Sequence, residues 1–478
     1  MSDRSFLERG LDEPLIVIDE ERHDARLKPM EWVRKRLFNS WYNSVITVLL
    51  TGLILYAGLR LFSFVFVTAR WQVVRTNLTL FMVGRYPRAE MWRVVAQVLV
   101  WSGTLGLAWG AAVAGARHRA RRAGAPFRDQ PILSHARRYW GMLVLVLLVL
   151  LLTRTFGPLL VLVAALALGA LLRWTGAKVS GEHVGLAWAG VAILGVMGYQ
   201  IVSGFYGNGW VWIGVPVSAV ALNLLGQIEW SSPLRRRLVR WAAVVAVFAI
   251  LYLAYTAVDH RGVGWDKWEG LRLNLLSAPI AIVLAFPLGL ILALARRSSL
   301  PVLRMLSTGY IELIRGVPLI TLLLMGQLFI GFFLATTTPL SSITRAIAAL
   351  TLFTSAYIAE IVRGGLQSVP RAQIEAGQSL GLSPFTVTRL IVLPQALRAV
   401  IPAMVGQFIA LVKDTTLLSI IGVAEILQVR TIVHAQAEFR GIGIAETLVF
   451  VGFVFWAITF TMSRESQRLE RRLGVGER

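Results

Sequence analysis

The sequence of 478 residues contains no cysteine, and only 15% of its residues are charged. Without cysteine, the chain can form neither disulfide bonds nor thiolate metal sites. Ordinary soluble domains have about 25% charged and 45–50% apolar residues, whereas this chain is 56% hydrophobic with a mean hydropathy of +0.66. These values exclude a soluble enzyme, a disordered chain and a disulfide-stabilised secreted domain. They leave a polytopic membrane protein.

Lysine is scarce as well. Only five of the 48 basic residues are lysine, so arginine carries most of the formal net charge of +22. In a soluble protein such a charge would indicate nucleic-acid binding, whereas in a membrane protein it marks loops on the cytoplasmic side. Arginine clusters follow the second, sixth, eighth and last apolar runs, and a twelve-span layout places all four inside. We therefore interpret the positive charge as a marker of membrane orientation and expect no nucleic-acid partner.

Most of the twelve apolar runs approach the roughly 20 residues that a transmembrane helix needs. They lie at 44–67, 94–114, 139–153, 156–172, 185–203, 210–228, 241–258, 273–295, 311–335, 343–361, 396–412 and 446–462. The short pair 139–153 and 156–172 is interpreted as two spans rather than one re-entrant hairpin. In the second run, Gly106-x-x-x-Gly110 is a weak signal for helix packing. Segment 68–93 should lie outside the cytoplasm, and its five arginines have no explanation in this layout.

The chain divides into four regions. Residues 1–40 contain no apolar run of signal-peptide length and predict a cytoplasmic tail, as do residues 466–478. Residues 41–264 form an N-terminal transmembrane region, whose extra spans at 139–230 have no assigned role. Residues 265–465 contain proline and glycine within and between spans, and nearly every ionisable residue in an apolar context. We therefore expect the functional residues in 265–465.

Motifs of catalysis are absent from the sequence. There is no G-x-x-x-x-G-K-[ST] phosphate-binding loop, no H-E-x-x-H zinc motif and no G-x-S-x-G nucleophile motif. The six histidines are scattered and lack the spacing of metal ligands. We expect no catalytic residue, no metal site and no cofactor in this chain.

The most informative feature is the polar interruption at 360–398 between two apolar runs. Pro370 suits the start of a helix and Gly381 suits its end. Ser383-Pro384 would begin a second helix, which Pro394 would end before the next span. These signals predict a cytoplasmic helix–turn–helix, and an amphipathic interfacial helix is the alternative.

The same residues resemble the EAA loop of the membrane subunits of ABC importers, in which E-A-x-x-x-x-G is followed at fixed spacing by I-x-L-P. Gly377 replaces the usual second alanine, which should loosen the helix. In the family this loop, here 363–396, docks on the ATPase subunit. The resemblance therefore assigns ATPase coupling to six residues: Glu375, Ala376, Gly377, Gly381, Leu393 and Pro394.

Further segments resemble the polar amino-acid branch of these importers. One has the pattern E-x-x-R-G-x-P-L, and its structural signature residues are Glu312, Arg315, Gly316 and Pro318. Ser355 begins a match to S-A-Y-x-A-E-x-x-R-G-G, and Lys413 begins a match to K-D-T-S-L. The segment 81–87 is similar to part of the longer permease of general L-amino-acid importers. The strong resemblance covers about 265–465.

Ionisable residues at membrane depth usually face a protein interior or a water-filled path. The candidates for the substrate pathway are Glu360, Arg363, Lys413, Asp414, Thr415 and Thr416. An amino-acid zwitterion needs partners of both signs, which these residues could supply together. A local ion pair at i and i+3 is an equal alternative for Glu360 and Arg363, and an ion pair is the favoured interpretation of Glu312 and Arg315.

The resemblance implies an all-α, polytopic protein of about twelve transmembrane helices with a C-terminal five-helix type I ABC importer core. It implies a permease subunit that moves polar L-amino acids into a bacterial cytoplasm, in the inner membrane and with both termini inside. The implied partners are a second permease subunit, a periplasmic amino-acid-binding protein, membrane lipid and two ATPase subunits that bind ATP and Mg²⁺. The alternative is a stand-alone secondary transporter, which would show matching broken helices in two halves.

Overall fold

The computed structural model describes residues 29–127, 140–150 apart from 142 and 149, 156–203, 214, 217, 218, 220, 221, 232–257, 263, 267–333 and 340–473. Within these ranges the regular elements are helices, and a single isolated β-bridge pairs Gly270 with Glu425. The all-α fold class is therefore confirmed. Contacts divide the chain into two units, of which one ends at Arg70 and the other begins at Trp71.

The described part of the first unit contains two helices, α1 (Pro29–Leu37) and α2 (Trp41–Ser63), and α2 continues as a π-helical turn (Phe64–Thr68). Ser40 begins α2, because its hydroxyl accepts a hydrogen bond from the Asn43 backbone N–H at 3.4 Å. No residue of α2 is buried, although the helix is apolar on all sides. Such a helix is suited to a surface that contacts lipid.

The N-terminal part of the second unit contains α3 (Gln72–Val83), α4 (Met91–Arg122), α5 (Phe156–Lys178), α6 (Val184–Ser203) and α7 (Pro233–Ala257). The residues described after α7 form nine further α-helices. These are α8 (Gly270–Arg296), α9 (Pro301–Gly316), α10 (Leu319–Phe333), α11 (Ser342–Ser368), α12 (Arg371–Ser379), α13 (Pro384–Val387), α14 (Leu393–Asp414), α15 (Ile426–Ala435) and α16 (Ile444–Leu473).

Helix α11 is the centre of the second unit. It packs against α8, α9, α10 and α14, and its most apolar window is 67% buried, more than that of any other candidate span. Small residues on α8 allow close approach: a Cβ on Gly289 would lie 2.7 Å from Cβ of Ile358 on α11. The core of the fold is therefore built around α11 and its neighbours.

Seven described helices are long and apolar enough to cross a membrane, and each coincides with one of the predicted runs. Helices α6 and α7 correspond to two more runs. The structure describes only part of the run 139–153 and only scattered residues of the run 210–228. The total of twelve spans therefore stays a prediction. Helix α5 is 23 residues long, so the run 156–172 is the first part of a full-length span.

The predicted run 311–335 is not one continuous helix, since it contains the end of α9 and the whole of α10. The chain bends by 110° between α9 and α10, at the sequence Gly316-Val317-Pro318. Proline restricts the residue before it to extended conformations, and Val317 has φ −104° and ψ 134°. Glu312 and Arg315 therefore lie near the end of α9 rather than at the start of a membrane span.

From Trp71 onwards the basic segment 68–93 belongs to the second unit, and its helix α3 is part of the packed core of that unit. Helix α3 buries Val74, Leu78 and Phe81 against α15 and α16, and the Phe81 ring lies edge-on to Phe450 with ring centroids 5.3 Å apart. The segment is therefore not a free loop, because the apolar face of α3 is buried in the core of the second unit.

Two of the arginines in segment 68–93 have carboxylate partners. Arg85 pairs with Glu269 just before α8, and Arg93 pairs with Glu90. These pairs neutralise part of the charge that the topology of the sequence could not explain.

Helices α4 and α5 approach each other through glycine. A Cβ on Gly106 would lie 2.1 Å from the carbonyl oxygen of Gly169, and one on Gly110 would lie 2.5 Å from that of Arg173. The Arg173 guanidinium also lies 4.5 Å from the Trp109 ring centroid. The packing role predicted for Gly106 and Gly110 is confirmed, and close backbone contact of this kind stabilises helix pairs in membranes.

We predict that Gly106→Val separates α4 from α5, because the added carbons cannot fit against the carbonyl of Gly169. Overpacking of this kind costs about 1–3 kcal/mol of the free energy of unfolding, which thermal unfolding in detergent would measure. The matched control is Gly58→Val on α2, where a Cβ meets no atom within 4 Å. Equal unfolding temperatures for the two variants would contradict the packing role.

Candidate functional site

The segment 371–394 forms a helix–turn–helix at one end of the second unit. Helix α12 follows Pro370, and Gly381 leaves the helix with φ +75°, a conformation that glycine adopts without strain. The Ser383 hydroxyl accepts a hydrogen bond from the Thr386 N–H at 3.3 Å and begins α13. The predicted helix starts and the turn at Gly381 are confirmed.

The prediction that Pro394 ends the second helix is wrong. Helix α13 continues through a π-helical turn (Thr388–Val392) directly into α14, and Pro394 lies in the first turn of α14. The missing N–H of Pro394 breaks the regular pattern of i→i−4 bonds, and it lies directly after the π-helical turn, in which the Leu393 N–H bonds the Thr388 carbonyl instead. Residues 384–421 are consequently one continuous helical span.

The six residues assigned to coupling differ in exposure. Glu375, Ala376, Gly381 and Pro394 are exposed, and Leu393 is half-buried. Gly377 is buried, and a Cβ there would lie 3.0 Å from Cδ1 of Ile391 and from Cγ2 of Val387. The glycine therefore allows α12 to pack closely on the following helical turn, a role that the sequence alone did not indicate.

Three apolar side chains of this segment point away from the fold. Leu380 is 81% exposed, Phe385 is 73% exposed and Leu390 is 64% exposed. Sequence reasoning did not single them out, although large apolar residues in a polar turn were the available signal. An exposed apolar cluster next to polar residues is typical of a protein-binding surface.

Near the same end of the molecule, Glu360 is the centre of a charge cluster. Its carboxylate accepts hydrogen bonds from Arg363 one turn later and from Arg296 on α8, the latter at 3.1 Å. Arg315 on α9 lies 3.7 Å away, and Arg296 also pairs with Glu312 at 3.3 Å. Three arginines and two glutamates from three helices are thus brought together.

Of the two ion pairs predicted from the sequence, the structure contains one. The Glu360–Arg363 pair is present. Among the described residues, Glu312 and Arg315 pair with side chains of other helices rather than with each other, because the bend after Gly316 directs α9 back towards α8 and α11. The signature residues Gly316 and Pro318 lie at this bend.

The other pathway candidates lie at the far end of α14. Lys413 is exposed, Asp414 is half-buried and Thr415 is fully buried, while the Thr416 hydroxyl donates to the Lys413 carbonyl at 2.8 Å. Asp414 lies 20 residues beyond Pro394, or about 30 Å along the helix, whereas Glu360 lies about 12 Å before the end of α11. The two groups of candidates therefore do not form one site.

Thr415 belongs to a buried polar network instead. The Asn274 side-chain amide on α8 donates to the Thr415 hydroxyl at 2.9 Å and to the Glu425 carboxylate at 3.1 Å. Glu425 also accepts a bond from the Gln428 N–H and so begins α15. Burial raises the pKa of Glu425 to about 7, because it penalises the charged carboxylate. Sequence reasoning missed this residue.

We predict that Glu360→Gln lowers the free energy of unfolding by about 1–3 kcal/mol, since it leaves three arginines around a neutral amide. Thermal unfolding in detergent would measure the loss. The matched control is Glu312→Gln, whose carboxylate is exposed and contacts one arginine, so the loss should stay below about 1 kcal/mol. Equal losses for both variants would contradict the central position of Glu360.

We predict that Glu425→Gln flattens the pH dependence of stability. Since the folded-state pKa is about 7 and the ordinary value is 4.5, the native state binds more protons in this window. The stability of the wild type should therefore fall as the pH rises through it. Unfolding temperatures between pH 5 and pH 8 would test this, with the exposed Glu375→Gln as the control. An unchanged pH slope in Glu425→Gln would refute the assignment.

Comparison with known proteins places the chain in context. Residues 285–475 match the family of the binding-protein-dependent transport system inner membrane component. The inner membrane amino-acid ABC transporter permease protein YhdY of Escherichia coli is 41% identical over 244 residues, which are 50% of this chain and 65% of YhdY.

Two further relatives extend the comparison. The glutamate/glutamine/aspartate/asparagine transport system permease protein BztC of Rhodobacter capsulatus is 38% identical, over 60% of this chain and 61% of BztC. The chain thus spans less than two thirds of YhdY and of BztC. The probable glutamine ABC transporter permease protein GlnP of Bacillus subtilis is 36% identical over 43% of this chain and 92% of GlnP. The chain belongs to the family of inner membrane components of binding-protein-dependent transport systems.

Proposed function

We propose that the chain is the permease subunit of an ABC importer that moves polar L-amino acids from a periplasmic binding protein into the cytoplasm. The observation that carries this proposal is the exposed helix–turn–helix at 371–394, with Glu375, Gly381 and Pro394 at the spacing of the EAA loop. The family and the amino-acid permeases among its relatives support it. A binding-protein-dependent family counts against the alternative of a stand-alone secondary transporter.

The positions of the arginines support an orientation in which the end that carries segment 371–394 faces the cytoplasm. Arg296 ends α8, Arg297 follows it, and Arg304 lies in the first turn of α9, while the last turns of α16 contain Arg464 and Arg471. The α8 end contacts the Glu360 cluster near the 371–394 segment. Because positive residues concentrate on the cytoplasmic side, we place this end of the second unit and the C-terminal end of α16 inside. The predicted total of twelve spans, an even number, then places the N-terminus inside as well.

The surface of the segment suits a partner that supplies ATP hydrolysis. Glu375 lies two residues from the buried Gly377, so it faces away from the helical turn on which α12 packs. Leu380 and Phe385 project beside it. Two ATPase subunits that hold ATP and Mg²⁺ would dock here and on a second permease subunit, and nucleotide-driven closure would shift the equilibrium between two permease states.

The continuous span 384–421 would transmit this movement. A displacement of α12 and α13 would pass into α14, at whose far end Lys413, Asp414 and Thr416 lie. Asp414 has no ion-pair partner within 4 Å among the described residues, so it is available to the ammonium group of a cargo amino acid. Glu360 and Arg363, held in their cluster, would bound the path at the inner end.

We predict that Glu375→Ala reduces both retention of the ATPase partner and ATP-dependent amino-acid uptake by at least about tenfold, equivalent to 1.4 kcal/mol of binding free energy. Affinity co-purification and uptake into proteoliposomes would measure the two effects. The unfolding temperature should change little, because the site is exposed.

The control for this experiment is Glu465→Ala, which removes a carboxylate from the same end of the protein, outside 363–396. It should retain ATPase binding and uptake. Full ATPase retention by Glu375→Ala, together with undiminished uptake, would refute the coupling role.

A further inference from the structure

Arg272 is a buried cation without a hydrogen-bond partner. It lies in the first turn of α8 and is only 7% exposed, and neither Nε nor either Nη atom forms a hydrogen bond in the structure. A guanidinium has five N–H donors and stays protonated. Since more than 90% of buried polar groups are paired, three unpaired nitrogens on one side chain indicate a ligand.

Two aromatic rings flank this guanidinium. Its Cζ atom lies 4.3 Å from the Trp268 ring centroid and 4.7 Å from the Tyr86 ring centroid. Cation–π contacts attract the charge but provide no acceptor for the N–H groups. The Tyr86 hydroxyl is buried beside Arg272 and interacts with its charge, but forms no hydrogen bond of standard geometry. Several donors therefore converge on one place.

The neighbouring carboxylates are already committed. Glu269 receives the backbone N–H of Arg85 at 2.8 Å and the guanidinium of the same residue, and Glu90 pairs with Arg93. No described carboxylate is left for Arg272. The site therefore retains a net positive charge that an incoming anion would neutralise.

The position of Arg272 fixes the side from which an anion would come. It lies 24 residues before Arg296, a helical length of about 36 Å, which exceeds the roughly 30 Å of the bilayer hydrocarbon. With the Arg296 end inside, as the proposed orientation has it, Arg272 lies at the outer end of α8.

We infer that Arg272 and the Tyr86 hydroxyl form a binding site for a small carboxylate at the outer end of α8. A planar guanidinium matches a carboxylate in a bidentate pair, and the phenol can donate a third bond. Both residues are nearly inaccessible, so the ligand has to be small. Its identity rests on the proposed function: it is the carboxylate of an amino acid that arrives from outside.

The test is ligand-dependent thermal unfolding of the full chain in detergent. The probes are sodium acetate, a panel of L-amino acids and inorganic phosphate, each compared with sodium chloride at equal ionic strength. Acetate and at least one amino acid should raise the unfolding temperature of the wild type, because a ligand that binds only the native state stabilises it. Arg272→Met should lose this response, while the exposed Arg75→Met should keep it.

Two further variants sharpen the test. Tyr86→Phe removes one hydrogen bond, so the same stabilisation should need about two- to tenfold more ligand. Glu375→Ala changes the opposite end and should respond as the wild type does, so a failed coupling role is distinguishable from a failed carboxylate site. Without ligand, Arg272→Met should be at least as stable as the wild type, since the unpaired charge is gone.

Several outcomes would overturn the inference. Equal responses of the wild type and Arg272→Met to every probe would remove the site. A larger response to phosphate than to acetate would contradict its carboxylate preference. A response to acetate but to no L-amino acid would refute the identity of the ligand.

Discussion

The ion pairs of Glu360 are the interaction on which the end of the second unit that carries segment 371–394 depends. A carboxylate on the central helix α11 receives Arg363 from its own helix, Arg296 from α8 and Arg315 from α9. An unpaired charge at this depth would be costly, so each helix end is held where its arginine can reach Glu360. The bend between α9 and α10 and the loop after α8 are fixed by the same requirement.

The segment 371–394 extends from this end as an exposed helix–turn–helix. The chain then returns through one continuous helical span. Helix α12 packs through Gly377 on the turn that leads into α14, and the span 384–421 crosses without a break to Asp414. At its far end, Asn274 holds Thr415 and Glu425 together in a buried network. The geometry therefore connects the surface proposed for the ATPase to the residues proposed for cargo through one continuous helix.

The sequence predicted the features that local chemistry decides. Apolar runs located the spans, Pro370 and Gly381 located α12, and Gly106 with Gly110 located a helix contact. The prediction that Pro394 ends a helix was wrong, because the π-helical turn before it joins the two helices. The sequence also could not predict the features that tertiary contacts decide. Glu312 pairs with Arg296, Glu425 bonds Asn274 and Arg272 faces Tyr86. Each of these contacts joins residues at least 16 positions apart in sequence, so no local spacing indicates them.

The central claim is that the segment 371–394 binds the ATPase. Because the chain has no cysteine, Phe385→Cys introduces a unique thiol at the exposed turn, and Leu328→Cys, on an exposed face of α10, is its control. Thiol crosslinking of the importer complex in native membranes, followed by mass analysis, measures the contact. The account predicts an adduct with a P-loop ATPase for Phe385→Cys and none for Leu328→Cys. A complex that contains the ATPase but gives no adduct at Phe385→Cys would contradict it.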